Sequence, residues 1–200
     1  MTWRVTWVLA VVCMALLTVA SCYAAPKIEP GAKAPDFSGV GVDDKKHELS
    51  EYKEAKALVV VFTCNHCPVA VAYEDRLIAL QKDYKSKGVQ VVAICVNDRD
   101  GDRLPGMKKR AKEKKFNFPY IYDKTQESAR QCGATCTPHV FLLGSERTVK
   151  YQGAIDDNNN AEKVEKHFLR DAIDAVLAGE KVAEPVTRQR GCSIKWSKKE

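Results

Sequence analysis

The sequence predicts one α/β domain with a mixed central sheet flanked by helices. Its 200 residues are enough for a single domain with a sizeable core. Residues 57–62 form an unbroken, Val-rich apolar run, which is typical of a strand buried on both faces. Similar runs alternate with helical patterns, and the chain then continues into a hairpin pattern and a last amphipathic helix. This alternation, without a repeat or a second domain, indicates a mixed α/β sheet.

The elements follow in a clear order. The strand at 57–62 leads through a Cys-x-x-Cys motif into a helix over 70–84, for which Gly88 is the expected C-terminal cap. A second buried strand is predicted over 89–96. Six further segments complete the domain: a basic helix at 107–115, a short strand at 120–122, a helix at 126–132, hairpin strands at 140–143 and 148–151, and an amphipathic helix over 164–177 that ends at Gly179.

The composition excludes several classes of protein. Charged residues make up 29% of the chain and hydrophobic residues 45%, as in a soluble globular domain rather than a disordered or fibrous chain. The net charge of +6 comes without a basic cluster interleaved with aromatic residues, so we expect no nucleic-acid partner. Eight cysteines are too few for a small disulfide-built protein, but they indicate thiol chemistry.

The N-terminal segment has the pattern of an export signal. One Arg precedes an uncharged stretch over 5–26 that contains an apolar run of signal-peptide length. Three alternatives stay open: a lipoprotein signal in which Cys22 is lipidated, cleavage near Ala20 or Ala24, and an uncleaved membrane anchor. We therefore expect a signal at 1–25, a linker at 26–33, the folded domain at 34–182 and a tail at 183–200. Each alternative delivers the domain outside the reducing cytosol, in the periplasm or anchored facing it.

Cys64 and Cys67 form the most specific motif, because they lie where a strand passes into a helix. Backbone N–H groups and the helix dipole at such an N-terminus stabilise a thiolate, which is the reactive form of cysteine. The sequence thus predicts Cys64 as the nucleophile and Cys67 as the resolving thiol, with His66 favouring the thiolate. A structural disulfide and half of a zinc site, with Cys132 and Cys136 as the other half, are the alternatives.

A second motif precedes the strand at 140–143. Pro138 stands at the entrance to this buried strand, where proline is normally excluded, and a cis Thr137–Pro138 bond would explain it. His139 follows directly and is a candidate both for substrate binding and for facing the Cys-x-x-Cys motif. With Cys64 and Cys67 it would supply the soft ligands of a copper site, which makes a copper-binding chaperone one alternative function.

These motifs together resemble the thioredoxin superfamily. The sequences APDF at 34–37, FPYIYD at 118–123 and CGA at 132–134 are closer to its peroxiredoxin-like, or redoxin, branch. The combination of FTCNHCP, ATCTPH and the tail GCSIKW is similar to an uncharacterised group of exported bacterial redoxins, over residues 31–196. The resemblance implies a thioredoxin-like fold and a thiol-disulfide exchange site, in which the Thr137 backbone pairs with an extended substrate. The implied partners are protein or small-molecule thiols and disulfides, with no cofactor and no metal.

Two departures from the family pattern bear on the reaction. Thioredoxins carry a buried acid six residues before the first active cysteine, and Leu58 stands there in this chain. Peroxiredoxins carry a threonine three residues before the peroxidatic cysteine; if Cys67 took that role, Cys64 occupies the threonine's place. The second departure favours disulfide exchange over the alternative, a thiol peroxidase. His66 resembles the strongly oxidising DsbA type, so the direction of electron flow is left open.

The remaining cysteines receive simpler interpretations. Cys95 lies in a Val-rich strand and is expected to be a buried hydrophobic residue. We expect Cys192 in the tail to form a disulfide with Cys136 or Cys132 and so to hold the C-terminus, the alternative being three unrelated thiols.

Overall fold

The computed structural model describes residues 28–197. The strands are β1 (Ser38–Gly41), β2 (Lys46–Glu48), β3 (Ala57–Phe62), β4 (Val89–Cys95), β5 (Tyr120–Tyr122), β6 (Cys136–Thr137), β7 (His139–Gly144), β8 (Val149–Gly153) and β9 (Cys192–Ser193). The helices are α1 (Pro68–Tyr84), α2 (Leu104–Lys114), α3 (Glu127–Cys132) and α4 (Phe168–Ala178), and single 3-10 turns lie at Leu49–Tyr52, Lys85–Lys87 and Ala161–Lys163.

Seven strands form the central sheet in the order β2-β1-β5-β4-β3-β7-β8. The central strand β3 is parallel to β4 and antiparallel to β7, and all six of its residues are buried. The mixed sheet flanked by helices is therefore confirmed. Parallel pairing of β3 with β4 brings their carboxyl ends to the same edge of the sheet, and the Cys-x-x-Cys motif follows β3 at that edge.

Alternation along β3 divides the core into two layers. Val59 and Val61 pack with apolar residues of α1, α2 and α4 on one face. Leu58 and Val60 pack on the other face with Ala129 of α3 and with Phe37 from the start of the domain. Both faces of the sheet are covered in this way, which explains why the β3 sequence is apolar at every position rather than at every second one.

Helix boundaries differ from the prediction mainly at the last helix. The apolar spacing begins at Val164, but this residue is extended and α4 begins at Phe168. The preceding 3-10 turn is capped by the Asn160 side chain, which accepts a hydrogen bond from the Glu162 N–H at 3.0 Å. The helix ends as expected at Gly179, whose φ of +75° is the left-handed conformation that glycine favours at a C-terminal cap.

Both terminal segments pack on the domain more closely than their composition indicates. In the described part of the expected linker, the Gly31 N–H donates to Val149 O at 2.7 Å, and the Gln152 side chain donates to Ile28 O at 2.8 Å. In the expected tail, Val186 bridges to Gln152, and β9 pairs with β6. Short strands β1 and β2 form a hairpin near the start of the domain that the sequence patterns do not predict.

The segment expected to be an export signal, with Cys22 inside it, lies outside the described residues. Within residues 28–197, no helix has the length and apolar character needed to cross a bilayer.

Candidate active site

The two cysteines of the motif lie together at the N-terminus of α1. Cys67 is the N-cap residue, and Pro68 occupies the first helical position, where a missing N–H has no consequence. Cys64 is 2% exposed and Cys67 is fully buried. The motif is thus assembled where the predicted strand-to-helix junction places it, but both sulfurs are covered by other parts of the chain.

The loop before β7 supplies part of that cover. The Thr137–Pro138 peptide bond is cis, as predicted. Thr137 contacts both cysteines, because its Oγ1 lies 3.1 Å from Cys64 Sγ and its carbonyl oxygen lies 3.1 Å from Cys67 Sγ. The structure therefore brings together Cys64, Cys67, Thr137 and Pro138, which the sequence analysis had drawn from two separate motifs.

The hydrogen bonds around the two thiols favour ionisation at Cys67. Contact with the Cys64 thiol lowers the pKa of Cys67 to about 4, and the Cys192 thiol and the N–H groups of Ala70 and Cys192 act in the same direction, against burial. The Thr137 carbonyl oxygen accepts from Cys67 and so favours its protonated form, but more groups donate to the Cys67 sulfur than accept from it. The position of the motif in the sequence predicts the thiolate at Cys64. Donors at the helix N-terminus reach Cys67 instead, because α1 begins only after it.

Cys64 is shifted in the opposite direction. Its contact with Cys67 and its burial raise the pKa of the Cys64 thiol far above its ordinary value, and the nearby Asp102 carboxylate adds to this effect. The Thr137 hydroxyl and the backbone of Cys67 oppose the shift without reversing it. The contacts around the two thiols therefore shift their pKa values in opposite directions, with the lower pKa at Cys67.

Asp102 is a buried acid of the site that the sequence motifs do not indicate. Its carboxylate is completely buried, and Oδ1 accepts the backbone N–H groups of Asn65 at 2.8 Å and His66 at 3.2 Å. Oδ2 accepts the Asn97 side chain at 3.1 Å and pairs with His66 Nδ1. Asp102 thus fixes the backbone between the two cysteines and brings His66 beside Cys64.

A signal for this residue is present in the sequence. Residues 97–102 are rich in Asp and begin two positions after the end of β4, and the carboxyl end of β4 lies at the same edge as that of its parallel neighbour β3. Ligand and catalytic groups gather at such an edge. Asp102 therefore supplies a buried acid that is absent at position 58, but from a different loop.

His139 does not join the thiols. It pairs with Phe62 across the sheet, and its ring packs against that of Phe141, with centroids 4.6 Å apart. Phe62 and Phe141 belong to one core layer, whereas Cys64 and Cys67 belong to the other. Residues alternate between the faces of a strand, so the ligand set of the alternative copper site is not assembled.

One group of metal-ligating side chains occurs within the described part of the chain. Ligand atoms of Cys64, His66 and Asp102 lie within 4.8 Å of one another. Both Asp102 oxygens already accept hydrogen bonds from two N–H groups each, and His66 Nδ1 is among these. This arrangement fits a hydrogen-bonded support for the motif better than an open set of metal ligands.

The other described cysteines occupy three environments. Cys95 is fully buried, as predicted, and its thiol donates to Asp102 O at 3.3 Å. Cys132 lies in the core layer opposite the active cysteines, and burial raises its pKa to about 12. Cys136 is half-buried in β6, and burial raises its pKa as well.

Cys192 lies at the active site rather than in a disulfide. All six described cysteines are free thiols, so neither expected disulfide, with Cys136 or with Cys132, is present. The Cys192 N–H instead donates to Cys67 Sγ at 3.4 Å. The expected attachment of the tail to the cis-proline loop does occur, through pairing of β9 with β6.

A groove of about 400 Å³ opens beside Pro138. Val69 of α1 and Phe168 of α4 provide apolar walls, and the charged lining includes both Arg188 and Arg190 and the acids Asp157 and Glu184. Arg76 holds the loop along another wall, because it donates to Asp156 at 2.5 Å and to the carbonyl groups of Asn158 and Asn159 at 2.8 and 2.7 Å. The groove could accommodate a peptide or a small thiol next to the cis-proline loop.

Comparison with known proteins agrees with this geometry. Residues 29–167 match the profile of the Redoxin family. The thiol-disulfide oxidoreductase ResA of Bacillus thuringiensis is 26% identical over 147 residues, which cover 72% of this chain and 79% of ResA.

Two solved structures are also similar to this chain. An uncharacterised conserved protein of Geobacillus kaustophilus is 38% identical, with a TM-score of 0.80 over 86% of this chain and 95% of that one. A thiol:disulfide interchange protein DsbE of Chlorobium tepidum is 25% identical, with a TM-score of 0.64 over 76% of this chain and 99% of that one. With its thioredoxin-like sheet and its cysteine pair facing a cis-proline loop, the chain belongs to the Redoxin family.

Proposed function

We propose that the chain is a thiol-disulfide oxidoreductase in which Cys64 and Cys67 are the exchanging pair. One observation carries the proposal: both sulfurs lie 3.1 Å from atoms of Thr137, at the N-terminus of α1 and beside cis Pro138. Adjacent thiols of unequal acidity are what exchange requires, since one must attack as a thiolate and the other must resolve the mixed disulfide. The oxidoreductase names of the relatives support the same reaction.

The reaction begins with the Cys67 thiolate. It attacks one sulfur of a substrate disulfide, the second substrate sulfur leaves as a thiolate, and a mixed disulfide forms at Cys67. Cys64 then loses its proton and attacks Cys67 Sγ, so that the first substrate sulfur also leaves. The substrate becomes a dithiol, and the protein holds the Cys64–Cys67 disulfide. His66 and Asp102 lie beside Cys64 and are the groups we propose to receive its proton. The reverse sequence oxidises a substrate dithiol.

An insulin-reduction assay with dithiothreitol as electron donor tests this function. We expect Cys64→Ser and Cys67→Ser each to lose at least 99% of the rate, because neither can complete the two-step exchange. Cys132→Ala is the matched control, since its thiol lies in the opposite core layer, and it should keep the wild-type rate. Full activity in the Cys64→Ser, Cys67→Ser double variant would contradict the proposal.

A second experiment separates the two assignments of roles. Each active cysteine is tested alone with oxidised glutathione at pH 7, in a Cys192→Ser background because Cys192 contacts Cys67. We expect Cys67 in the Cys64→Ser variant to form its adduct at least ten times faster than Cys64 in the Cys67→Ser variant. The sequence-based assignment, with Cys64 as nucleophile, predicts the reverse order.

Peroxide reduction is the second candidate, and the lowered pKa of Cys67 favours it. A buried thiolate followed by proline at a helix N-terminus is suited to attack on peroxide, although no threonine stands three residues before it. Stopped-flow mixing with hydrogen peroxide distinguishes the two functions. Rapid loss of one thiol with sulfenate formation at Cys67 would favour the peroxidase, and slow oxidation would favour disulfide exchange.

We further propose that the protein is exported and acts in the periplasm, either free or anchored through its N-terminus. The apolar run after Arg4 supports export, and the position of Cys22 after Val19-Ala20-Ser21 supports lipidation. Labelling of cells with a radioactive fatty acid tests the anchor. Label that disappears in Cys22→Ala supports lipidation, and unlabelled protein in the soluble periplasmic fraction supports simple cleavage.

A further inference from the structure

The C-terminal segment of the described chain, residues 191–197, runs across the active site, and we call it the docked tail. Its strand β9 is antiparallel to β6, with Cys192 opposite Thr137 and Ser193 opposite Cys136. The backbones approach so closely at Gly191 that a Cβ atom there would lie 2.0 Å from Thr137 O. Only a residue without a side chain can occupy this position while the tail is docked.

The docked tail brings the Cys192 thiol into contact with Cys67. The Cys192 N–H donates to Cys67 Sγ at 3.4 Å, and contact with Cys67 raises the pKa of the Cys192 thiol to about 11. An extended segment that pairs with Thr137 and presents a cysteine to the motif has the geometry of a bound substrate. In this structure the chain's own C-terminal segment occupies that position.

The remainder of the docked tail is firmly held. The Ile194 side chain is 4% exposed, and the Lys195 N–H donates to Asn97 Oδ1 at 2.8 Å. Gln126 donates to Lys195 O at 2.9 Å and accepts from the Ser197 N–H at 2.9 Å. The Trp196 ring lies 4.2 Å from the Arg130 guanidinium. These contacts hold the tail against three parts of the domain and so fix the position of Cys192 beside Cys67.

We propose that Cys192 is a third exchanging thiol and that the docked tail is an internal substrate of the active site; the proposal rests on the exchange function above. The Cys192 thiolate attacks Cys67 Sγ in the oxidised pair. The Cys64–Cys67 bond breaks as the Cys67–Cys192 bond forms, and Cys64 leaves as a thiolate and takes up the proton that Cys192 released. No net oxidation occurs. The step moves the disulfide to a half-exposed sulfur in the tail, from which an external thiol can take it.

The full chain with Cys64→Ser tests this step, because Cys67 then has no neighbour in its motif to resolve an adduct. The reduced variant is mixed with oxidised glutathione, quenched with acid and mapped by mass spectrometry without reduction. We expect a Cys67–Cys192 bridge as the main product. Adding Cys192→Ser should leave the glutathione adduct on Cys67, whereas adding Cys132→Ala should leave the bridge in place.

The outcomes separate this proposal from the function on which it rests. A stable glutathione adduct on Cys67 in the Cys64→Ser variant, with Cys192 open to alkylation, would overturn the internal substrate and leave the exchange function standing. Failure of Cys67 to react in either variant would overturn the internal substrate and the assignment of Cys67 as nucleophile, whereas loss of insulin reduction in the wild type is what would overturn the exchange function.

A second variant tests the docking itself. In the Cys64→Ser background, Gly191→Ala should lower the ratio of bridge to adduct at least tenfold, because its Cβ collides with Thr137 O. Ser193→Ala is the control and should leave the ratio unchanged, because β9 pairs with β6 through the backbone of Ser193 and not through its side chain. An unchanged ratio in Gly191→Ala would also count against the proposal.

Discussion

Replacing Asp102 with asparagine keeps the shape of the side chain and removes its negative charge. The carboxylate is completely buried and accepts four N–H donors, two on each oxygen. If the asparagine keeps its oxygen toward the backbone N–H groups of Asn65 and His66, its amide nitrogen faces His66 Nδ1 and Asn97 Nδ2. Two charge-assisted hydrogen bonds are then lost, and the Asn97 amide faces another donor.

The loss of stability in Asp102→Asn follows from the strength of hydrogen bonds to a charged group. A hydrogen bond to a charged group contributes about 1.5–3 kcal/mol, and a change of His66 tautomer can recover part of one of them. We therefore expect Asp102→Asn to lower the free energy of unfolding by about 3 kcal/mol. With a urea m-value of about 2 kcal/mol/M for a domain of this size, the unfolding midpoint should fall by about 1.5 M.

Urea unfolding of the reduced protein, followed by circular dichroism, measures this change. Asp100→Asn is the matched control, because its carboxylate is in the same loop but 97% exposed, and its loss should have little effect. An unchanged midpoint for Asp102→Asn would refute the assignment of Asp102 as the support of the motif. In the Cys67→Ser background the same substitution should also speed alkylation of Cys64, because removal of the Asp102 charge lowers the pKa of that thiol.

Three further predictions address the thiolate, the groove and the docked tail. Cys67 is ionised in the folded reduced protein above about pH 4, and in the unfolded chain only above about pH 9. Between these values the unfolded state binds more protons than the folded state, so the free energy of unfolding should rise from pH 5 to pH 8 more steeply in the wild type than in Cys67→Ser. Urea midpoints measured across this pH range test the difference. Equal slopes of midpoint against pH in the two proteins would contradict ionisation of Cys67. Arg76→Ala should lower the free energy of unfolding by about 2 kcal/mol, since Asp156, 4% exposed, loses its cation, and thermal unfolding should show a reduced midpoint. Trp196→Ala should speed alkylation of Cys67 about fivefold, because loss of the contact with Arg130 weakens tail docking by about 1 kcal/mol.

The fold and the cysteine motif could be predicted because local patterns determine them. The run from Ala57 to Phe62 is apolar at every position and rich in Val, a pattern typical of a strand covered on both faces. Cys64 and Cys67 stand directly after it, and Pro138 precedes another buried strand. The identity of these residues and their distance from the strands are enough to predict the junction and the cis peptide bond.

The interactions that set the chemistry of the site connect residues far apart in the chain. Asp102 lies 36 residues after His66, and Cys192 lies 125 residues after Cys67. No periodicity links such pairs, and the two-residue strands β6 and β9 are too short to produce a pattern. The unequal acidity of the two thiols arises from where α1 begins, which sequence patterns locate only to within a few residues.

The proposed order of exchange depends most directly on which sulfur carries the charge in the reduced site. Ultraviolet absorbance of the thiolate, titrated from pH 3 to pH 9, measures it in the wild type and in the Cys64→Ser and Cys67→Ser variants. We predict a thiolate that persists below pH 6 in the wild type and in Cys64→Ser, whose serine hydroxyl still donates to Cys67, and that is absent below pH 8 in Cys67→Ser. A thiolate at pH 6 that survives Cys67→Ser and disappears in Cys64→Ser would contradict the account.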